Sequence, residues 1–430
     1  MTLADTPTLD RSRRSPLLPA APLQQVESGA QPQARPAFNH RVGIFNVKYS
    51  PNLGDGIIAQ CLEGELRRAD PRIVPTSIDL AGRSGFDTGH GKHRARLLSL
   101  IERLPRPLRA RLVPALLVTL VRLRLTPRWQ TQLSACDSVV IGGGALFQDV
   151  DQNFPVKLAE ALRLANARGL PVAVASVGVT GHWSQAGRRR LVSRLKAARM
   201  VGLSVRDTAS AGTWRSVIGV GEAAIAPDPG LLAAYHYGLP ATEPRTRPRV
   251  GLCVTAPLAL RLHHEGAHDD RHLEVWTTAL ARQLSALGND VVLFTNGSPE
   301  DRLFRDRIRT RLGDDPAIRF APDFAVPQDL AHCLATCDCV MAHRLHACIV
   351  AYSYRVPTVG FAWDGKLRSF FEQTGRGDFV IDPREASPPH TAELAIKAMA
   401  QGVDPQRHGE LLDRAGTAIH TLAGQLVGAR

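Results

Sequence analysis

The chain has 430 residues, 44% of them hydrophobic and 22% charged, with a formal charge of +13. That length exceeds one ordinary core and predicts two domains of globular type. No apolar run reaches the roughly 18–20 residues of a membrane-spanning helix, and the basic balance points to an anionic partner.

Residues 1–38 read as a disordered tail rich in Pro, Ala and Gln. Arg11, Arg13 and Arg14 resemble the start of a twin-arginine signal, but the prolines that follow interrupt the hydrophobic segment such a signal needs. A first Rossmann-like lobe is expected over residues 39–236. It begins with a strand at Arg41–Val47, a small-residue loop through Asn52-Leu-Gly-Asp55, and an amphipathic helix from Ile57 to Arg68. A glycine-containing loop that feeds a helix N-terminus receives anions readily. Asp55 either caps that helix or acts on a sugar hydroxyl.

A second strand is expected at Arg72–Asp79. Residues 92–128 then form a basic amphipathic insertion. Ten Lys and Arg residues from Lys92 to Arg128 face the single carboxylate Glu102, with leucines and valines between them and breaks expected at Pro105, Pro107 and Pro114. Such a segment suits either an anionic membrane surface or packing against its own domain. Few aromatics interleave with the charges, which argues against nucleic acid. Ser138–Ile141 reads as a buried strand, and Gly142-Gly143-Gly144 lets a ligand or another backbone approach closely. The glycine spacing is not a dinucleotide fingerprint. Strands follow at Pro171–Gly178 and Met200–Asp207, the latter ending in Arg206.

Residues 237–249 are a Pro- and Arg-rich linker. A second Rossmann-like lobe is expected over 250–390, and residues 391–430 read as a helical tail that crosses back to the first lobe. The seven cysteines show no paired framework and no standard zinc spacing, so they read as thiols of a reducing compartment. His263, His264, His268, Asp269 and Asp270 read as loop residues rather than a metal site.

The chemistry concentrates in Met341–Lys366. Here a strand end leads into a polar turn, a small-residue helix at Ala347–Tyr354, a strand at Thr358–Ala362 and a charged loop. His343, Arg344 and His346 stand at one end of this unit, with Asp364 and Lys366 at the other. In a wound α/β sheet both ends face the crevice beyond the carboxyl ends of the strands. Arg344 and Lys366 form an anion clamp, and His346 supplies a titratable proton beside it.

Asn52-Leu-Gly-Asp55, Gly142-Gly-Gly144, Ser204-Val-Arg-Asp207, Asp228-Pro229 and His343-Arg-Leu-His-Ala347, with Pro357 and Lys366, resemble the polysaccharide pyruvyl transferase family. The resemblance runs from about residue 42 to residue 380, and its order and spacing are more specific than any single motif. It implies two lobes of GT-B-like form around a central cleft, and transfer of pyruvate from phosphoenolpyruvate to two hydroxyls of a sugar. It puts donor-binding roles on Arg206, Arg344, His346 and Lys366. The basic insertion is not part of the family pattern.

The residues fit that chemistry on their own terms. Phosphoenolpyruvate carries a carboxylate and a phosphate, for which Arg206, Arg344 and Lys366 offer charge. His346 is the candidate general acid and Asp55 a base or acceptor contact. Asn52, Gly143, Gly144, His343 and Asp364 are candidate substrate contacts. No metal or cofactor is demanded, since phosphoenolpyruvate is itself the donor substrate. The acceptor would be a sugar or lipid-linked glycan, and the setting cytoplasmic, on the inner membrane face if the basic insertion meets lipid. The alternatives are a GT-B glycosyltransferase using a nucleotide sugar and a non-catalytic binding protein of glycan machinery.

Overall fold

Two six-stranded sheets, both parallel, carry the site at their facing ends. The computed structural model describes residues 39–86, 106–241, 244–257, 270–362 and 365–429. The tail 1–38, residues 87–105 (which include the first part of the basic region, 92–105), the histidine-rich loop around His263–Asp269, and Asp364 lie outside the described residues.

The first sheet contains β1 (His40–Asn46), β2 (Ile73–Asp79), β3 (Ser138–Gly142), β4 (Val172–Val177), β5 (Met200–Val205) and β6 (Ala224–Ile225), in the order β2-β1-β3-β4-β5-β6. The second contains β7 (Arg249–Cys253), β8 (Asp290–Phe294), β9 (Ile318–Phe320), β10 (Cys339–Ala342), β11 (Thr358–Phe361) and β12 (Val380–Ile381), in the order β12-β11-β10-β7-β8-β9. Parallel strands covered on both faces must be apolar throughout. β3, β4 and β10 meet this with Ser-Val-Val-Ile-Gly, Val-Ala-Val-Ala-Ser-Val and Cys-Val-Met-Ala, every residue buried. Strand order reverses between β1 and β3 in the first sheet and between β7 and β10 in the second. The loops after these four strands therefore open the crevice where a doubly wound sheet binds ligands.

One hydrophobic core runs through both lobes. Val42, Ile57 and Leu62 of the first lobe belong to the same cluster as Leu280, Val340 and Phe361 of the second. The other face of the first sheet has its own cluster around Trp129 and Trp214, with Trp129 edge-on to Phe45 at 5.4 Å. Both lobes fall in one compact unit.

Several local expectations are corrected. The helix after β1 spans Leu53–Ala69, because Asn52 accepts from the Gly54 amide and caps it four residues earlier than periodicity implies. Asp55 is thus not the cap. Lys366 lies in the first turn of a helix, Gly365–Gln373, and not in a loop. Pro107 and Pro114 do not break the basic region, and Pro105 lies outside the described residues. A helix runs from Arg106 to Leu120 through Pro114, widens over Val121–Leu125, and continues as Thr126–Leu133. Pro107 sits in the first turn, where its missing N–H is harmless.

The last helix, Pro405–Gly428, packs on the first lobe. His420 Nε2 meets Glu65 Oε1 at 2.7 Å, and Arg199 Nη2 donates to the Ala429 carbonyl at 2.6 Å. A side chain at Gly202 would collide with Gln425. The preceding helix, Pro388–Gln401, stays on the second lobe, where the Trp276 indole donates to Ala386 O nearby.

Candidate active site at the lobe seam

The two lobes touch where the loop after β1 faces the loops after β8 and β10. The Leu53 amide donates to Asn296 O at 2.7 Å. Gly297, at φ +103°, lies so close to Pro51 O that a Cβ would stand 2.5 Å away. A Cβ on Gly54 would stand 2.6 Å from His346 Cβ. Glycine is required at both positions for this approach. The two lobes are in direct contact at these glycines. Surface depressions of about 470 and 530 Å³ lie elsewhere, on the first lobe.

Asp55 sits in the first turn of its helix, beside the β3 turn. Gly143 and Gly144 adopt φ +82° and +79°, and a Cβ on Gly144 would lie 3.8 Å from Asp55 Oδ1. The expected glycine turn therefore wraps the carboxylate. Burial drives the Asp55 carboxyl up to about 6 from an ordinary 3.8, against the hydrogen bond from Ser50 and the pull of Arg83 and Arg344. Its Oδ1 is 3.7 Å from His346 Nδ1.

His346 comes from the second lobe, in the first turn of the helix Leu345–Ser353. Burial pushes its imidazole down to about 3, and the charges of Arg206, Lys366 and Arg344 push the same way. Those three cations therefore converge on one ring. His346 Nε2 is buried and has no hydrogen-bond partner among the described residues.

Arg206 follows β5. Its guanidinium covers Gly178, where a Cβ would come within 2.9 Å of Cζ. Nε donates to Asp207 Oδ2 at 3.1 Å, and Nη1 faces Asp228 Oδ2 at 3.7 Å. Asp207 also caps the helix Thr208–Thr213, and Asp228 caps the turn Pro229–Leu232. Nη2 is buried and without a hydrogen-bond partner among the described residues. A buried guanidinium nitrogen and a buried imidazole nitrogen, from opposite lobes, are thus both left over.

Arg344 is engaged differently. It donates through Nε and Nη2 to Asp301 Oδ2, at 3.1 and 2.6 Å. Asp301 is fully buried and also accepts from the Ala256 amide at 2.8 Å. Burial raises the Asp301 carboxyl, opposed by Arg344. Burial works against the Arg344 charge, but Asp301 outweighs it and the net shift is upward. Lys366 is half-buried. His343, directly after β10, is buried with its ring against Phe361 at 4.9 Å.

The structure thus brings Asn52, Asp55, Gly143, Gly144, Arg206, His343, Arg344, His346 and Lys366 to one seam. Asp301 and Asn296 were not foreseen. Asp301 reads in sequence only as a first-turn acid after Ser298-Pro299-Glu300. Asn296 has a buried Nδ2 without a hydrogen-bond partner among the described residues, and Thr255 has a buried Oγ1 in the same condition.

A sequence model of polysaccharide pyruvyl transferases matches residues 52–365. The chain belongs to the polysaccharide pyruvyl transferase family. The match begins at the Asn52 cap, includes Asp55, Gly143, Gly144, Arg206, Asp301, His343, Arg344 and His346, and ends one position before Lys366. No curated protein sequence matches this pyruvyl transferase family member.

Among solved structures it is similar to UDP-GlcNAc 2-epimerase from Methanocaldococcus jannaschii, at 10% identity and TM-score 0.54, over 90% of this chain and 99% of that one. It is similar to UDP-GlcNAc 2-epimerase from Neisseria meningitidis bound to UDP-GlcNAc, at 11% identity and TM-score 0.51, over 90% and 100%. It is also similar to α,α-trehalose 6-phosphate synthase from Burkholderia multivorans, at 13% identity and TM-score 0.50, over 91% and 97%. At these identities the likeness is of fold alone, the two-lobed GT-B type.

Proposed function

We propose that the protein transfers pyruvate from phosphoenolpyruvate to two hydroxyls of a polysaccharide or lipid-linked glycan, closing a cyclic ketal and releasing inorganic phosphate. The observation that carries this reading is the pair of unpartnered buried nitrogens, Arg206 Nη2 and His346 Nε2. A small ligand that is both anionic and proton-accepting would engage both.

In this reading Arg206, Arg344 and Lys366 hold the phosphate and carboxylate. With its imidazole pushed down to about 3, His346 is too weakly basic to bring a proton of its own. The incoming anions offset the three cations and raise the imidazole, which then takes a proton from the Asp55 side of the pair. His346 delivers it to the donor's methylene carbon, and the C2 centre becomes cation-like. One acceptor hydroxyl attacks C2 and gives its proton to Asp55. The C2–O bond to phosphate then breaks, the second hydroxyl attacks, and its proton leaves with phosphate. Guanidinium and ammonium groups supply the electrostatics, so the scheme demands no cofactor. Seven free thiols, five of them buried, support a reducing, cytoplasmic setting.

The test is phosphate release from phosphoenolpyruvate in the presence of a glycan acceptor. His346→Ala should reduce it by about 10²- to 10⁴-fold, the range of a lost proton-transfer group. Near-full ketal formation by that variant would remove the acid assignment. Thermal shift with phosphoenolpyruvate but none with UDP-sugars supports the pyruvyl reading, and the reverse favours a nucleotide-sugar transferase.

A further inference from the structure

We propose that the outer face of the helical segment ending at Leu133 docks on an anionic phospholipid surface. This inference does not depend on the reaction in the seam. From Val121 onward the segment's inner side is accounted for. Val121, Leu125, Trp129 and Leu133 follow one another at intervals of four and are buried on the first sheet. Its outer side is not a normal solvated face. Leu116, Leu120 and Leu123, at intervals of four and three, are 60%, 41% and 73% exposed. Single exposed leucines need no explanation, but three on one stripe of one helix do.

The charge beside the stripe identifies its partner. A groove of about 530 Å³ opens behind the segment, against the helices Asn153–Ala167 and Gln185–Lys196. Arg122, Arg163, Arg190 and Arg194 line it, and Glu160 is the one carboxylate among its described lining residues. Glu160 is already engaged, by Arg163 at 2.7 Å and by the Thr126 hydroxyl at 2.7 Å. Arg122 also pulls on Glu160, so four arginines share that one carboxylate among the described lining residues, and the groove keeps an excess of positive charge. Exposed leucines flanked by arginines match an interface of acyl chains beneath phosphates. Single-stranded nucleic acid would call for aromatic stacking platforms, and the stripe carries none, while a duplex backbone would leave the three exposed leucines unused. No described helix is long and apolar enough to cross a membrane, so the contact would be peripheral.

The experiment is flotation of the full chain with vesicles of phosphatidylcholine alone or mixed with phosphatidylglycerol. The protein should float only with the mixed vesicles, and salt at about three times the physiological level should release it. Arg122→Gln, Arg190→Gln and Arg194→Gln together should weaken binding on the order of a hundredfold, since each basic side chain near such a surface changes affinity about fivefold. Leu116→Ser, Leu120→Ser and Leu123→Ser together should weaken it at least tenfold while thermal melting and phosphate release stay unchanged.

Failure of the wild-type chain to float with mixed vesicles would overturn the proposal. So would undiminished binding by the leucine variant, since charge alone would then explain it. Two further results would overturn it: concentration-dependent dimerisation abolished by the leucine variant, or duplex DNA bound more tightly than mixed vesicles through the same arginines.

Discussion

His346 Nδ1 lies 3.7 Å from Asp55 Oδ1, across the seam between two lobes, and burial drives the two groups in opposite directions. The native state keeps a proton on Asp55 that the unfolded chain has released, so this group lowers stability as pH rises from 3.8 to about 6. The native state refuses His346 a proton that the unfolded chain accepts, so this group raises stability as pH rises from about 3 to 6.5. The slopes oppose each other between about pH 4 and pH 6. Urea midpoints of the wild type should be nearly flat there. Asp55→Asn should make stability rise across that window by about 2–3 kcal/mol, and His346→Gln should make it fall by a similar amount. Identical pH profiles for all three proteins would refute the account.

Gly54→Ala tests the close approach itself. The clash falls at the root of the His346 side chain, which cannot swing aside, so it outweighs alanine's helix preference and stability should fall by about 1–3 kcal/mol. The new methyl group must displace His346, whose Cβ would be 2.6 Å away. A shift of that kind should lower kcat on the order of a hundredfold. Unchanged kcat in a steady-state assay would mean that the approach is incidental.

Asp301 holds Arg344 and touches nothing that reacts. Asp301→Ala leaves a buried guanidinium unpaired and should lower the unfolding free energy by about 3–5 kcal/mol. The double variant Asp301→Leu with Arg344→Met should recover most of that stability in urea while remaining inactive. Recovered activity would show that Arg344 is structural only.

Arg206 carries a spare Nη2 donor beside two carboxylates. Arg206→Lys keeps the charge but loses the fork, so the KM for phosphoenolpyruvate should rise by about tenfold or more, equivalent to one charge-assisted hydrogen bond. A KM equal to that of the wild type would take the donor away from this residue.

The core that joins Val42 and Ile57 to Val340 and Phe361 makes the lobes thermodynamically one body. Calorimetry should show one transition, and the calorimetric and van't Hoff enthalpies should agree. Two separated transitions would contradict the shared core.

Much of this arrangement was legible in the residues. The alternation of apolar strands with helices locates ten of the twelve strands closely, because a sheet covered on both faces leaves near-continuous apolar runs. The two-residue strands Ala224–Ile225 and Val380–Ile381 carry too little pattern to be located that way. His343, Arg344 and His346 were found because polar residues broke the apolar run at a strand's carboxyl end. What stayed hidden was pairing at a distance. Asp301 meets Arg344 43 positions away, and Gly54 meets His346 from the other lobe. Spacing along the chain holds no trace of either contact. Pro114 misled because packing of Leu117, Val118, Val121 and Leu125 on the first lobe's core outweighs one lost helical hydrogen bond.

The closing helix has a consequence for how the chain is made. Glu65 meets His420 355 positions later, and Arg199 meets Ala429 230 positions later. A nascent chain that has produced the whole first sheet therefore still lacks the cover for that sheet's face near Gly202. The bare face waits through synthesis of the entire second lobe. Chaperone demand should accordingly fall on late translation, and ribosome-bound chains stalled before Pro405 should be cut by protease on the first sheet, where finished chains resist.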